Sequence, residues 1–346
     1  MAETAKQIFA YMLPGGVRDP RPGLDQARKA EELGLGGVWL GERVDTKDFP
    51  SLLGAATQVT QRIQLGVGVT AMNLRHPMVL AAAGQTLQAL SGGRFRMGFG
   101  KSASWRWEGY GYPEPTVASM RDVANILRRL WAGETVSYNG PAGVFPHLRL
   151  PELIELPPPP LYLAAIGPKT LEMAGAVYDG VILHPFLTRE GVRSSVQIVR
   201  NAATAAGRDP KSVTIVCTIV AAPDRAPHDA DLAIRSRGAG YFQIKGLGDM
   251  LVKANGWNPA DLAAYRNDPR LLALEGKPAD KYLSRDELIA LTRAMPADWI
   301  PSSSVVGTSA ECAAAFREYL AAGADEILVH GSSAEYLGGI AAAMRA

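Results

Sequence analysis

Cysteine is scarce in this chain: of 346 residues only Cys217 and Cys312 carry a thiol, and neither has a CxxC neighbour. That leaves no basis for a disulfide framework or a cysteine metal site, and it fits two buried thiols in a reducing cytoplasm. Histidine is also sparse, with five residues and no HExxH spacing, so no metal is expected. No GxSxG or cysteine–histidine context supports nucleophilic catalysis. No Walker sequence occurs, and PGGVRDP stands after the first strand, where a dinucleotide fold would carry GxGxxG. A formal net charge of +2 gives no electrostatic case for nucleic acid or an anionic membrane as partner. No apolar run reaches membrane-spanning length, and MAETAKQIFAYMLP has too short an apolar stretch for a signal peptide. The expectation is a soluble cytoplasmic protein acting on a small molecule, with homo-oligomerisation left open.

An apolar content of 47% and a charged content of 20% predict a substantial core. Its organisation is alternation, with short β-rich runs taking turns with stretches of helical periodicity, which means parallel strands. The strand runs are Gln7 to Leu13, Gly37 to Leu40, Ile63 to Val69, Arg94 to Gly100, LYLAAIG at 161–167, Val181 to Leu183, Val213 to Ala221 and Glu326 to Val329. Helical spacing fills the intervals, with Thr116 placed to cap the helix through Met120, Val123, Leu127 and Leu130. KSASWRWEGYGYPEP reads as a long loop, and Val136 to Leu148 as a hairpin. Asp224 to Ser304 is too long for one crossover and reads as an all-helical insertion, with helices about Leu247 to Ala254, Pro259 to Tyr265 and Arg285 to Ala294. Eight strands suit an α/β fold of the (β/α)8 TIM barrel type, one domain over 1–346 with the insertion between strands seven and eight, better than a doubly wound sheet.

Barrels of this kind build their sites at C-terminal strand ends, so the residues just after each strand carry the chemistry. The stretch LGVGVTAMNLRHPMVLAA at 65–82 is the richest of them: Gly66 and Gly68 loosen a buried strand before Thr70, Asn73, Arg75 and His76. Strand two ends in Gly41, Glu42 and Arg43, which read either as a surface ion pair worth ~0–1 kcal/mol or as a sheltered carboxylate able to move a proton. Glu108 has the same potential among Trp105, Trp107, Tyr110 and Tyr112, aromatics that suit either stacking on a planar ligand or plain packing over the barrel. Lys101 and Ser102 follow strand four. GPKT at 167–170 opens a helix whose first N–H groups either bind an anion or are simply capped. His184, at the end of strand six, is the histidine best placed for a ligand, whereas His147, His228 and His330 read as peripheral or unassigned.

Taken in order, LGLGGVWLGER at 33–43, the 65–82 stretch, LSGGRFRMGFGKS at 90–102, LRRLWAGETVSYNG at 127–140, LAAIGPKTLEMAGAVYDGVILHPF at 163–186 and GADEILVH at 323–330 make the chain resemble the bacterial luciferase-like superfamily, in particular its coenzyme F420-dependent branch. That resemblance implies a coenzyme ring across the barrel mouth, backed by a bulge at Gly68, Val69 and Thr70 with a cis peptide at Gly68–Val69. It implies a phosphate and tail held along Ala164, Ala165, Ile166, Gly167, Pro168, Lys169 and Thr170, with Asn73, Lys101 and Ser102 nearby and His184 close to the ring. Hydride transfer between F420 and a small organic substrate is the implied reaction, with Glu42 and Glu108 as candidates for proton transfer. An FMN-dependent monooxygenase and a non-catalytic flavin-binding protein are the alternatives. Relatives acting on sugar phosphates or alcohols generally carry an acidic residue followed by histidine after strand two, and Glu42–Arg43 departs from that pattern.

Overall fold

The computed structural model describes residues 4–43, 46–101 and 104–346, with the side chains of 4 and 104–106 outside that description. Eight parallel strands close on themselves: β1 Ile8–Met12, β2 Gly37–Leu40, β3 Gln64–Ala71, β4 Phe95–Gly100, β5 Leu161–Ala165, β6 Gly180–Leu183, β7 Thr214–Pro223 and β8 Glu326–His330. Closure comes from β8 beside β1, with Ile327 opposite Ile8, and from β6 beside β7, with Ile182 opposite Val216. The main helices pack outside, which is why the strands read as continuous apolar runs rather than as alternating ones. Val117–Trp131 shows how such a helix is specified: the Ser119 N–H donates to Thr116 Oγ1 at 3.0 Å, while Met120, Val123, Leu127 and Leu130 are buried.

The lumen is filled in layers by every second residue of each strand. Near its base Arg96 Nη1 donates to Glu326 at 2.6 Å and the guanidinium lies over the rings of Phe9 and Tyr162. Above it, Trp39 occupies the middle with Ile182, Val216 and Leu328. The indole fits because Gly66 presents no side chain, since a Cβ there would sit 2.4 Å from the Trp39 ring, while a Cβ on Gly98 would lie 2.3 Å from the Val67 carbonyl of the neighbouring strand. The third layer forms the floor of the mouth.

Two segments depart from the sequence reading. Within the 101–115 stretch, expected as loop, the backbone of Ser104–Gly109 is helical. Between β7 and β8 the three expected helices are present, at Leu247–Ala254, Pro259–Arg266 and Arg285–Leu291, but a longer one, Pro227–Gln243, precedes them. Its apolar periodicity is diluted by small residues that close packing demands, since a Cβ on Gly238 would lie 2.5 Å from Ile300 Cδ1. After them the short strand Val305–Gly307 pairs in parallel with the end of β7. Phe242, Trp257 and Trp299 form the insertion's own core, with the two indoles stacked at 4.7 Å. Among the described residues no helix is long and apolar enough to cross a membrane.

Candidate active site

At the C-terminal end of β3 the pairing with β4 slips between Val67 and Thr70, and the Gly68–Val69 bond within this bulge is cis. Both carbonyls of the bulge are held: Tyr11 Oη donates to the Gly68 oxygen at 2.5 Å and the Glu42 N–H to the Val69 oxygen at 3.2 Å. The bulge turns Val69 toward the lumen. A Cβ on Gly100 would lie 2.5 Å from Val69 Cγ2 and 3.7 Å from the Ala164 Cβ, so Val69, Gly100 and Ala164 form one shallow apolar shelf.

The other half of the mouth is polar. Tyr11 and His330 stand ring to ring at 4.7 Å, and His184 meets the edge of Tyr241 at 4.9 Å. Thr218 lies two residues beyond the inward-facing Val216, and its Oγ1, like Nδ1 of His330, is buried with no hydrogen-bond partner among the described residues. Burial, then the charges of Arg237 and Lys47, His184 and Arg43, hold the His330 imidazole well below its usual pKa. His330 and Thr218 were not singled out from sequence; the signal was present in strand alternation, which puts Leu328 and His330, and Val216 and Thr218, on one face.

His184 Nδ1 lies 2.8 Å from the Pro185 carbonyl, which can only accept, so Nδ1 carries the proton and Nε2 is the free lone pair. Burial pushes its pKa down to about 4. Because the unfolded chain protonates this ring near 6.5 and the folded chain resists until about 4, stability is lost as pH falls through that window. Urea melts at pH 7 and 5 should show about 2 kcal/mol more acid loss for the native chain than for His184→Gln. Parallel losses in the two would show that the ring titrates normally.

The expected site residues divide. Gly68, Val69, Ala164 and His184 do meet at the mouth. Glu42 does not face it as a free carboxylate: Arg75 donates to both of its oxygens at 2.7 and 2.8 Å, and Thr70 Oγ1 at 2.5 Å and the Phe49 N–H at 3.2 Å complete its shell. Thr70 is buried with its hydroxyl spent on that carboxylate. Glu42 is therefore a bracket joining β2, β3 and the helix Phe49–Thr57. Glu108 is exposed, so nothing shelters it as an acid. Asn73 Nδ2 donates to the Pro113 carbonyl at 2.8 Å, and Lys101 pairs with Glu114 on the exposed rim. Ala165 and Ile166 turn their side chains into the core. Gly167 begins the helix Pro168–Val177 without a side-chain cap, with Pro168 and Lys169 exposed and the Thr170 hydroxyl bonded back to the Gly167 carbonyl at 2.8 Å. Ser102, and the side chain of Trp105, lie outside the described residues. Trp107 is buried, whereas Tyr110 and Tyr112 are exposed, so the aromatic loop does not act as a single stacking platform.

Known proteins share this fold. The chain is 28% identical over 305 residues, 87% of each chain, to a 5,10-methylenetetrahydromethanopterin reductase of Methanolobus tindarius. Its fold matches the coenzyme F420-dependent tetrahydromethanopterin reductase of Methanopyrus kandleri, with a TM-score of 0.79 at 20% identity and 97% of both chains covered. It also matches an F420-dependent secondary alcohol dehydrogenase solved with an F420–acetone adduct, with a TM-score of 0.72 at 19% identity and 99% of both chains covered. The family model described as luciferase-like monooxygenase matches residues 5–326. With that match running from the first strand of the barrel to the start of its last, the chain belongs to the luciferase-like monooxygenase family.

Proposed function

We propose that this family member is an F420-dependent oxidoreductase that moves a hydride between the deazaflavin and a small organic substrate at the barrel mouth. The observation that carries the reading is the shelf of Val69, Gly100 and Ala164, a flat apolar surface that any larger side chain would fill. A planar tricyclic ring fits such a shelf, and Val69 would back it. The first turn of Pro168–Val177, uncapped and flanked by the exposed Lys169, suits the coenzyme's phosphate. When bound, F420 supplies a hydride donor or acceptor.

The chain's own contribution is orientation and protection from water. Tyr11 and Glu42 hold the bulge carbonyls so that Val69 keeps its place. His184 stays neutral above about pH 4 and offers Nε2 as an acceptor on the polar side of the mouth, beside Tyr241. A proton that accompanies the hydride is handled there, by His184, His330 or Tyr241, rather than by Glu42 or Glu108.

Titrating the purified chain with F420 and with FMN, and following fluorescence, tests the reading. Saturable F420 binding with much weaker FMN binding is the expected result. The reverse order would assign an FMN monooxygenase, and F420 binding without turnover across a broad substrate screen would leave a carrier.

A further inference from the structure

Opposite the apolar shelf two guanidinium groups gather, and among the described residues neither has a carboxylate within ion-pair distance. Arg43 and Arg237 approach the loop after β1 from two elements: Nη1 of Arg43 lies 3.0 Å from where a Cβ on Gly16 would be, and Nη2 of Arg237 lies 3.8 Å from the equivalent point on Gly15. Lys47 adds a third cation there, its Nζ donating to the Leu13 and Gly15 carbonyls at 3.0 and 2.8 Å. Arg237 Nη1 is braced on its own helix by the Ala233 carbonyl at 2.5 Å, which leaves the rest of its fork available. Among the described residues neither Arg43 nor Arg237 has an acidic side chain within ion-pair distance, and the neighbouring Glu42 is committed to Arg75. The charges of both arginines act on His330, whose buried Nδ1 has no hydrogen-bond partner among the described residues.

Guanidinium groups gathered in a partly dehydrated mouth repel one another and favour an incoming anion, whose oxygens match their forked donors. The orphaned imidazole supplies a further polar contact for the same ligand. We propose that the substrate carries an anionic group, carboxylate or phosphoryl, held between Arg43 and Arg237 on the side of the mouth away from the coenzyme shelf. This rests on the F420 reading, and it extends that reading to the substrate's charge. The coenzyme's own phosphate is not the ligand of these arginines, because the uncapped helix at Gly167 lies beyond the shelf on the β5 side. Burial and the neighbouring arginines push the Arg237 guanidinium below its usual range, with Tyr241 opposing, which agrees with a site that favours an anion.

The test uses the full chain loaded with F420, with inorganic phosphate and propionate as probes, followed by calorimetry while F420 fluorescence reports coenzyme affinity in the same samples. One probe should bind saturably and lose about tenfold or more in affinity in both Arg237→Gln and Arg43→Gln, with F420 affinity held within about twofold. Phosphate as the better probe assigns a phosphoryl substrate, propionate a carboxylate. Circular dichroism checks each variant's fold, and the second variant carries the test should the first unfold. F420 binding with no probe binding, or probe binding that both substitutions leave intact, overturns the anion site alone. Mutual displacement of probe and F420 also overturns it, by giving the arginines to the coenzyme. Failure of F420 itself to bind removes the coenzyme reading, and this proposal with it.

Discussion

Replacing Ala164 by phenylalanine is expected to weaken F420 binding by about 100-fold or more, a loss of roughly 2.7 kcal/mol, with little change in thermal midpoint. Ala164 is the outermost inward-facing residue of β5, packs against the lumen cluster and is only partly buried, so a longer side chain there has open space to enter. That space is the shelf shared with Val69 and Gly100, and a benzyl group would occupy the area the ring needs. Ala164→Ser, nearly isosteric, should bind as the native chain does. A fluorescence titration of the three proteins decides the matter. Unchanged affinity in Ala164→Phe would move the coenzyme off the shelf and take the functional reading with it.

Removing the Arg75 guanidinium, as in Arg75→Met, should cost about 3–5 kcal/mol in urea denaturation, because it strands a buried carboxylate. Glu42 is only 3% exposed at its side chain, and Arg75 meets it through a two-point fork while also reaching Asp48 at 2.8 Å and covering the Phe49 ring. The double variant Glu42→Gln with Arg75→Met should recover part of the loss, since a neutral amide can still serve Thr70 and the Phe49 N–H without carrying charge. The effect should reach the site as well, because the Glu42 backbone holds the Val69 carbonyl. A cost under about 1 kcal/mol would mean that Glu42 is solvated as a surface pair is.

These two tests fall on either side of what the sequence makes legible. The barrel is readable because its strands are short β-rich runs between helical periods, and each of the eight runs is a strand at nearly the expected bounds. The Gly68–Val69 bulge is readable only through family resemblance, since periodicity alone leaves an ordinary strand end. Glu42 was read with Arg43, its sequence neighbour, yet its partner is Arg75, 33 residues away. Strand ends bring together residues from different segments, and local spacing does not encode which of them pair. The helix carrying Arg237 and Tyr241 shows no visible apolar stripe, since Gly238 serves packing against Ile300 and Phe186 where a larger apolar residue would mark the buried face.

Sequence by itself determined the class of fold, the order of its strands, the place of the insertion and the end of the barrel where chemistry belongs, all of which follow from local periodicity and short connections. Tertiary structure alone decided which strand-end groups are free. It spent Glu42, Thr70 and Lys101 on other side chains, exposed Glu108, and brought His330, Arg43 and Arg237 to one mouth. The physical reason is that availability of a polar group is a property of its neighbours in space. A carboxylate already holding an arginine and a hydroxyl is committed, whereas a buried imidazole nitrogen with no partner among the described residues is open to a ligand.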